Sequence, residues 1–343
     1  MRRSVRFKLS LSGCILLGFI FLFSGTGPSF AETGTIIATI LPAGGKAPQL
    51  FRMNPDGSDV VQLTTASGKG LPTDANDFPV ISANGKKVYF ASGRDFAPGY
   101  DPMYRAIYVM NIDGKNAKRL TANSTEHCNE YPNDVSPNGV WVIFEMSCDA
   151  TVVGDALDGV TLLYRIRTDG THQEQLLSKN KLFESGLYDL GAAAFTLDGK
   201  SLIFNVSSGS TDELYKLDWG TQRFTQLTNL SKKSYWADWR KPMFEPTGEW
   251  VYFQTLSEDL STARVEKVKL DGSEEKVLIK IANNPYDAFM DDRFALSPDG
   301  ERFVFAHGAT QHSVETSDIR GQNRVKIWND SSTFMGWGNF AWK

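Results

Sequence analysis

Short runs of β-branched and aromatic residues recur along the chain, and each run follows a four-residue turn that ends in glycine. The turns occupy residues 82–85, 136–139, 196–199, 245–248 and 297–300, so their glycines lie 49 to 60 residues apart. The runs that follow them are 88–90, 141–144, 202–204, 250–253 and 302–305. Asn or Asp before glycine supports the positive φ angles of a tight hairpin turn, and the flanking residues favour strands. The pattern therefore predicts a β-hairpin that is repeated five times.

The chain contains a second set of turns, each preceded by another strand. These turns are 54–57, 111–114, 167–170, 218–220 and 269–272. Several are followed by a strand that ends in a Leu-Thr pair, as at 63–64, 120–121 and 227–228. Each unit thus has four strands, which cannot bury both faces of their sheet alone. About fifty residues per four-stranded unit is typical of blades stacked around a propeller axis.

The two ends of the repeat complement each other. The first unit starts midway, with apolar runs at 35–40, 49–52 and 60–63, and it lacks a first strand. The last unit is followed by a surplus apolar run at 337–342. Pairing that run into the first unit closes the ring and removes a free sheet edge. We therefore expect an all-β fold, a six-bladed β-propeller of four-stranded blades that is closed by pairing the C-terminal strand into the first blade.

The repeat resembles that of a known family. Its marks are the Ser-Pro-Asp-Gly turn at 297–300, the Tyr-x-Met-Asn-x-Asp-Gly run at 108–114, Gln-Leu-Thr at 62–64 and 226–228, and Ser-Gly-Arg-Asp at 92–95. Residues 35–343 resemble the TolB-like (WD40-like) β-propeller family through these marks. The resemblance implies the propeller fold. Because the matching residues build turns, it assigns no site.

Acidic residues precede each predicted innermost strand, eight to ten positions before the turn glycine. They are Asp77, Glu130, Asp189, Asp238 and Asp292, and the aromatic residues Tyr131, Tyr188, Trp236 and Trp239 accompany them. Innermost strands start at the mouth of a propeller channel, on the face that carries the long loops. Function tends to reside on such loops over a rigid scaffold. We expect the acids to form a ring at the channel mouth on this loop face.

Three roles are open for this ring. Carboxylates and carbonyls around an axis suit a hard cation such as Ca²⁺, while no other cofactor is indicated. Acids with aromatic faces suit an oligosaccharide or a basic segment of a protein or peptide partner. Alternatively, each acid accepts local hydrogen bonds and locks adjacent blades together. The overall interpretation is a non-catalytic binding scaffold.

Residues for catalysis are sparse in the chain. It has four histidines, and it lacks the Gly-x-Ser-x-Gly, His-Glu-x-x-His and phosphate-binding glycine motifs. The enzymatic alternative is a propeller-type polysaccharide lyase or another carbohydrate-active enzyme. In that case His307 and His312, with Asp291 or Asp292, would supply part of a metal-assisted site.

Two cysteines remain once the N-terminal segment is set aside. The midpoint between Cys128 and Cys148 is residue 138, which lies inside the turn 136–139. The two should therefore face each other across the first hairpin of blade 3. In an oxidising compartment this arrangement predicts a disulfide.

The N-terminal segment has the layout of a secretory signal peptide. Four basic residues lie within the first eight positions, an apolar stretch covers 15–23, and small residues at 29 and 31 fit a cleavage site. Removal of residues 1–31 changes the net charge from −4 to −8, because it takes four basic residues and no acidic one. With no long basic run, nucleic acid is not an expected partner. We expect residues 32–343 to form a periplasmic or secreted propeller that does not span a membrane.

Overall fold

The computed structural model describes residues 34–42, 44–70, 73–96, 104–121, 128–148, 161–177, 182, 184–187, 189–207, 212–237, 241–282, 294–307, 313–329 and 340–343. The chain divides into two units, residues 1–32 and 33–343, and all described residues belong to the second unit. The predicted signal peptide lies outside the described residues. In the part that is described, no helix is long and apolar enough to cross a membrane.

Nearly all regular structure in the described residues is β-strand. The chain order begins with β1 (Ile36–Ile40), β2 (Gln49–Met53), β3 (Val61–Gln62), β4 (Asn76–Ile81), β5 (Lys87–Ser92), β6 (Ala106–Asn111), β7 (Lys118–Arg119), β8 (Cys128–Val135) and β9 (Trp141–Cys148). It continues with β10 (Leu162–Arg167), β11 (Glu174–Gln175), β12 (Asp189–Phe195), β13 (Ser201–Ser207), β14 (Asp212–Asp218), β15 (Arg223–Gln226), a 3₁₀ helix (Ser231–Lys233), β16 (Tyr235–Ala237) and β17 (Met243–Phe244). It ends with β18 (Trp250–Ser257), β19 (Thr262–Lys269), β20 (Glu275–Ala282), β21 (Phe294–Leu296), β22 (Arg302–His307), β23 (Ser313–Asp318), β24 (Val325–Asn329) and β25 (Phe340–Trp342).

The described strands form six antiparallel sheets, which are the blades of a propeller. From the innermost strand outwards, blade 1 is β25-β1-β2-β3, blade 2 is β4 to β7, blade 3 is β8 to β11, blade 4 is β12 to β15 and blade 6 is β21 to β24. In blade 5 the order is β16-β18-β19-β20, and β17 also pairs with β18. The predicted all-β six-bladed propeller is confirmed. The inner strand of blade 5 differs from the simple expectation, because two short segments share its place.

The C-terminal strand closes the ring. β25 pairs with β1 in the register Ile36 to Trp342 and Ala38 to Phe340, and it is the innermost strand of blade 1. The predicted closure is therefore confirmed. An unpaired strand edge exposes hydrogen-bonding groups, and this pairing covers the edge that β1 would otherwise present.

Glycine is required where blade 6 meets blade 1. Gly57 has φ +82°, and a Cβ placed there would lie 1.8 Å from the carbonyl oxygen of Ile327 in blade 6. The turn of blade 1 thus lies directly against the backbone of its neighbour. A side chain at this position would separate the two closing blades.

The two sets of tight turns lie together on one face of the propeller. In blade 2 the Ile112 N–H donates to the Lys86 carbonyl at 3.0 Å, and in blade 6 Ile319 donates to Glu301 at 3.1 Å. These bonds join the second turn of a blade to its first turn. The tight-turn face defined in this way is opposite to the loop face.

The hydrophobic core lies between neighbouring blades. One cluster joins Ile37 and Leu50 of blade 1 to Val88, Phe90 and Met110 of blade 2. All five are fully buried or nearly so, and burial of each large side chain contributes about 2 kcal/mol. Inter-blade burial therefore makes the ring a rigid support for whatever its surfaces bind.

Candidate functional site

The innermost strands of all six blades line a central channel of about 290 Å³. Its aromatic lining residues are Phe195, Phe244, Phe294, Phe340 and Trp342, and its prolines are Pro79, Pro132, Pro137 and Pro242. Small residues such as Ala194 and Ala295 fill much of the remaining wall. Most lining residues are apolar, yet the surface of the cavity is about equally polar and apolar. The turn residues Ala83, Pro137 and Leu197 place this cavity at the tight-turn end of the channel.

One ion pair lies in this channel wall. The Lys241 Nζ is 2.9 Å from the Asp134 Oδ1, and the two side chains remain 33% and 21% exposed. Asp134 also accepts a hydrogen bond from the Phe195 N–H through its Oδ2 at 3.0 Å. A bulge between Pro132 and Asp134 in β8 changes the strand register at this point. The pair links blades 3, 4 and 5 while keeping a cation and an anion at the cavity wall.

Asp77 is the second residue of β4, the inner strand of blade 2, and is buried. Its Oδ2 lies 3.2 Å from the Arg105 Nη2, and both side chains are buried. Burial raises the pKa of the Asp77 carboxyl, and the adjacent Arg105 cation opposes that rise. The carboxylate is therefore used to balance a buried cation of its own blade.

Glu130 is the third residue of β8, the inner strand of blade 3, and is also buried. Its Oε2 accepts hydrogen bonds from the Thr121 Oγ1 at 2.5 Å and the Ile107 N–H at 3.3 Å. Its Oε1 has no hydrogen-bond partner among the residues that the structure describes. Burial raises the pKa of Glu130 to about 7, against the opposing effect of these hydrogen bonds. Because Thr121 and Ile107 belong to blade 2, Glu130 locks two blades together.

The two acids flank an aromatic pair at the start of blades 2 and 3. The rings of Phe78 and Tyr131 lie 4.6 Å apart between centroids, and both side chains are partly exposed. Phe78 has φ +51°, within the bulge between Asp77 and Val80. At this bulge the Asp77 side chain is therefore buried, while the neighbouring Phe78 ring stays partly exposed.

The structure describes the other predicted site residues only in part or not at all. Asp189 begins β12 and Trp236 lies in β16, but their side chains are outside the description. Tyr188, Asp238, Trp239 and Asp292 lie outside the described residues. The acidic ring and its Ca²⁺ option therefore remain predictions. Within the described ranges, no group of three or more His, Cys, Asp or Glu side chains is arranged to hold a metal ion.

The residues of the lyase alternative are likewise incompletely described. His307 ends β22, with its side chain outside the description. His312 and Asp291 are not among the described residues. The geometry of that hypothetical site therefore remains a prediction.

The predicted disulfide is present. Cys128 and Cys148 are directly opposite each other in β8 and β9, and their sulfur atoms are bonded. The bridge joins the start of the inner strand of blade 3 to the end of the next strand. It therefore fixes the loop-face end of this hairpin, next to Glu130 and Tyr131.

Sequence patterns alone do not identify Arg105, Asp134 or Lys241. Arg105 directly precedes the apolar run 106–110, and Asp134 interrupts an inner strand, so each is a polar residue at an apolar position. This mismatch is the feature of the sequence by which Arg105 and Asp134 could have been found. Asp77 and Arg105 are 28 residues apart and meet within blade 2, whereas Asp134 and Lys241 are 107 residues apart and meet because blades 3 and 5 line the same channel.

No known family matches the sequence, and no curated protein does. Solved structures do match. TolB from Acinetobacter baumannii superposes with a TM-score of 0.66 and 17% identity over 91% of this chain and 67% of that one. The nidogen/laminin complex superposes with a TM-score of 0.57 and 10% identity over 90% of this chain and 97% of that one. An oligogalacturonate lyase in complex with manganese superposes with a TM-score of 0.54 and 8% identity over 82% of this chain and 71% of that one. At these identities the likeness establishes the fold, a TolB-like six-bladed propeller.

Proposed function

We propose that this TolB-like propeller is an exported, non-catalytic scaffold that binds a protein or peptide partner through its loop face and channel mouth. The observation that carries the proposal is the partly exposed Phe78–Tyr131 pair where the innermost strands of blades 2 and 3 start. These strands continue into the central channel, whose wall holds the Lys241–Asp134 ion pair. The N-terminal pattern of residues 1–31 supports export to the periplasm or the cell exterior.

The chemistry of the channel suits an extended peptide segment. Aromatic and proline side chains provide apolar contact for side chains of the partner, while Lys241 and Asp134 present a donor and an acceptor for its polar groups. The partly exposed Phe78–Tyr131 pair adds aromatic surface of the kind that is enriched at protein interfaces. The nidogen/laminin complex, by its name an assembly of two proteins, supports this use of the fold.

Selection from a random peptide library tests the proposal. A displayed library of twelve-residue peptides would be selected on immobilised protein 32–343, and the Kd of the best peptides measured by calorimetry. We expect Tyr131→Ala and Lys241→Ala each to weaken binding at least tenfold. The control Val325→Ala alters an exposed side chain on the outer strand of blade 6 and should leave the Kd unchanged. Selected peptides that bind both channel variants with full affinity would contradict the proposal.

The carbohydrate-active alternative is tested on the same protein. Oligogalacturonate would be added with and without Mn²⁺ or Ca²⁺, and formation of an unsaturated product followed by ultraviolet absorbance. Turnover that His307→Ala abolishes would replace the scaffold proposal with the lyase. Absence of turnover would leave the scaffold proposal in place.

A further inference from the structure

A second cavity lies between blades 3 and 4 on the tight-turn face. Its volume is about 460 Å³, and it is bordered by the turn residues 136–138, 198–200 and 218–220. The side chains of Trp141 and Arg165 form its wall. This cavity shares Pro137 and Phe195 with the central channel, and we call it the indole cleft.

The aromatic wall of the indole cleft is held in place by stacking. The Arg165 guanidinium carbon lies 4.2 Å from the ring centroid of Trp141 and 5.1 Å from that of Trp219. Arg165 is in turn paired with Glu174. Phe195 stacks on Trp219 at 6.2 Å with an interplanar angle of 29°. Both indoles are only partly buried, so the cleft presents fixed aromatic surface to solvent.

Blade packing does not require two indoles at this place. Trp141 lies two residues after the first turn glycine of its blade, and Trp219 is the second residue of the next blade's second turn. The equivalent pairs at four other interfaces are Lys87 with Thr168, Ser201 with Leu270, Trp250 with Ile319, and Arg302 with Pro55. Since none of these four interfaces pairs two indoles, the paired indoles call for a role other than closure.

The charged groups of the indole cleft balance each other. Arg165 and Lys200 oppose Asp198 and Asp218, so the lining has no net charge that would favour an ionic ligand. Hydrogen bonds from its own turn orient each carboxylate. The Asp198 Oδ1 accepts from the Thr196 hydroxyl at 2.6 Å, and these turn bonds lower the pKa of Asp198. The cleft thus offers pre-positioned, ionised acceptors.

Asp218 is held in the same way. Its Oδ1 accepts hydrogen bonds from the Thr221 N–H and hydroxyl, each at 2.8 Å, and these bonds lower the pKa of Asp218. Two fixed carboxylates next to an indole are suited to hydroxyl donors that sit on an apolar frame. A charged ligand would gain little from a lining in which both signs are present equally.

We infer that the indole cleft binds a sugar unit of a neutral oligosaccharide. The apolar C–H face of a pyranose ring would rest on the indole surface, and its hydroxyls would donate to Asp198 and Asp218. The cavity volume falls within the range of roughly 300–1,000 Å³ that small-molecule sites occupy. Its acceptors Asp198 and Asp218 do not line the central channel.

Saturation-transfer NMR and calorimetry on protein 32–343 test the inference, with cellohexaose, chitohexaose and maltohexaose as probes. We expect at least one probe to bind and Asp198→Asn to weaken it at least fivefold. Asp299→Asn changes the same turn position in blade 6 and is the matched control. Trp219→Leu should abolish binding, with Trp250→Leu as its control, and thermal melting would confirm that each variant is folded.

Three outcomes would overturn the inference. The first is no binding of any probe at millimolar concentration. The second is equal loss of binding in the Asp198→Asn variant and its Asp299→Asn control. The third is binding that Tyr131→Ala removes and Asp198→Asn leaves intact, which would place the sugar on the loop face. Failure of the peptide test leaves these readouts interpretable, because Asp198 and Trp219 do not line the central channel.

Discussion

At the scale of single residues, the Leu-Thr pairs have a function that their sequence pattern does not reveal. The threonine hydroxyl accepts the backbone N–H of the adjacent strand at the point where the outermost strand ends. The pairs are Thr64 with Leu50, Thr121 with Ile107 and Thr228 with Leu214, at 2.9 to 3.1 Å. In the Gln-Leu-Thr motifs, the glutamine amide also donates to the threonine carbonyl. The motif therefore caps the outer strand and extends its ladder by one hydrogen bond.

We predict that Thr228→Val destabilises the protein by about 1–3 kcal/mol. The change keeps the side-chain shape but leaves the buried Leu214 N–H without its acceptor, and it removes the 2.5 Å hydrogen bond from the Thr228 hydroxyl to Glu213. Urea unfolding measures the difference. Thr225→Val, at a more exposed position in the preceding strand β15, is the control. A loss below about 0.5 kcal/mol would be incompatible with the capping role.

Buried Glu130 gives the folding stability a dependence on pH. Its pKa is about 7 in the folded protein against 4.5 for the free group, so between these values the folded state binds more protons than the unfolded state. The stability contribution of Glu130 is thus complete below pH 4.5 and is lost as pH rises through 7, by about 3 kcal/mol in total. Asp77 and Glu266, whose pKa values burial also raises, act in the same direction.

Glu130→Gln isolates this contribution. Glutamine is neutral at every pH, so we expect the variant to lose less stability than wild type between about pH 4.5 and 8. Chemical unfolding at several pH values measures both curves, and the exposed Glu301→Gln is the control for loss of a carboxylate. Parallel curves for wild type and Glu130→Gln would show that Glu130 does not titrate in this interval.

At the scale of elements, the hairpin of blade 3 is the one that a covalent bond reinforces. β8 carries Glu130, Tyr131 and Asp134, and the disulfide joins its first residue to the last residue of β9. The bridge closes a loop with a sequence separation of 20 residues. It therefore restrains the strand that carries Asp134 of the channel wall.

We expect Cys128→Ser/Cys148→Ser to lower the free energy of unfolding by about 2–4 kcal/mol, because the unfolded chain loses a restraint on its entropy. Urea unfolding with and without dithiothreitol provides the measurement. Reductant should reduce the stability of wild type and have no effect on the double variant. Equal stability of the two proteins under oxidising conditions would contradict the structural role of the bridge.

Much of the element pattern follows from local sequence, but not all of it. Tight turns and β-rich runs depend on neighbouring residues, so the hairpins and their order could be predicted. The bulges at Asp77, at Pro132 and between Leu190 and Ala193 depend on how inner strands fit around the channel. The same is true of the Asp77–Arg105 pair, whose members are distant in sequence. The sequence could therefore identify Asp77 as a polar residue of an inner strand, but it could not identify Arg105 as its partner.

At the scale of the whole molecule, the ring depends on contacts at its closure. Blade 1 takes its inner strand from the C-terminus, and the turn at Gly57 packs against blade 6. The other blades are each built from one continuous stretch of chain and do not depend on both ends in this way. The closure is therefore the place where a small change should affect the entire propeller.

A matched pair of glycine variants tests the closure. Gly57 and Gly85 both have positive φ, at +82° and +70°, so alanine carries a similar backbone cost of about 1 kcal/mol at either site. A Cβ at Gly85 meets nothing within 4 Å, whereas at Gly57 it meets the Ile327 carbonyl. We expect Gly57→Ala to lower the melting temperature clearly more than Gly85→Ala does. Equal effects would mean that the two end blades are not in contact as described.

Hydrogen–deuterium exchange of protein 32–343, with and without a selected peptide, tests the central claim most directly. A partner on the loop face and in the channel should slow exchange in β4, β8 and residues 241–244, with little change in β20 and β24. Protection confined to the outer strands, or none at saturating peptide, would contradict the proposal that this propeller binds its partner through the channel mouth.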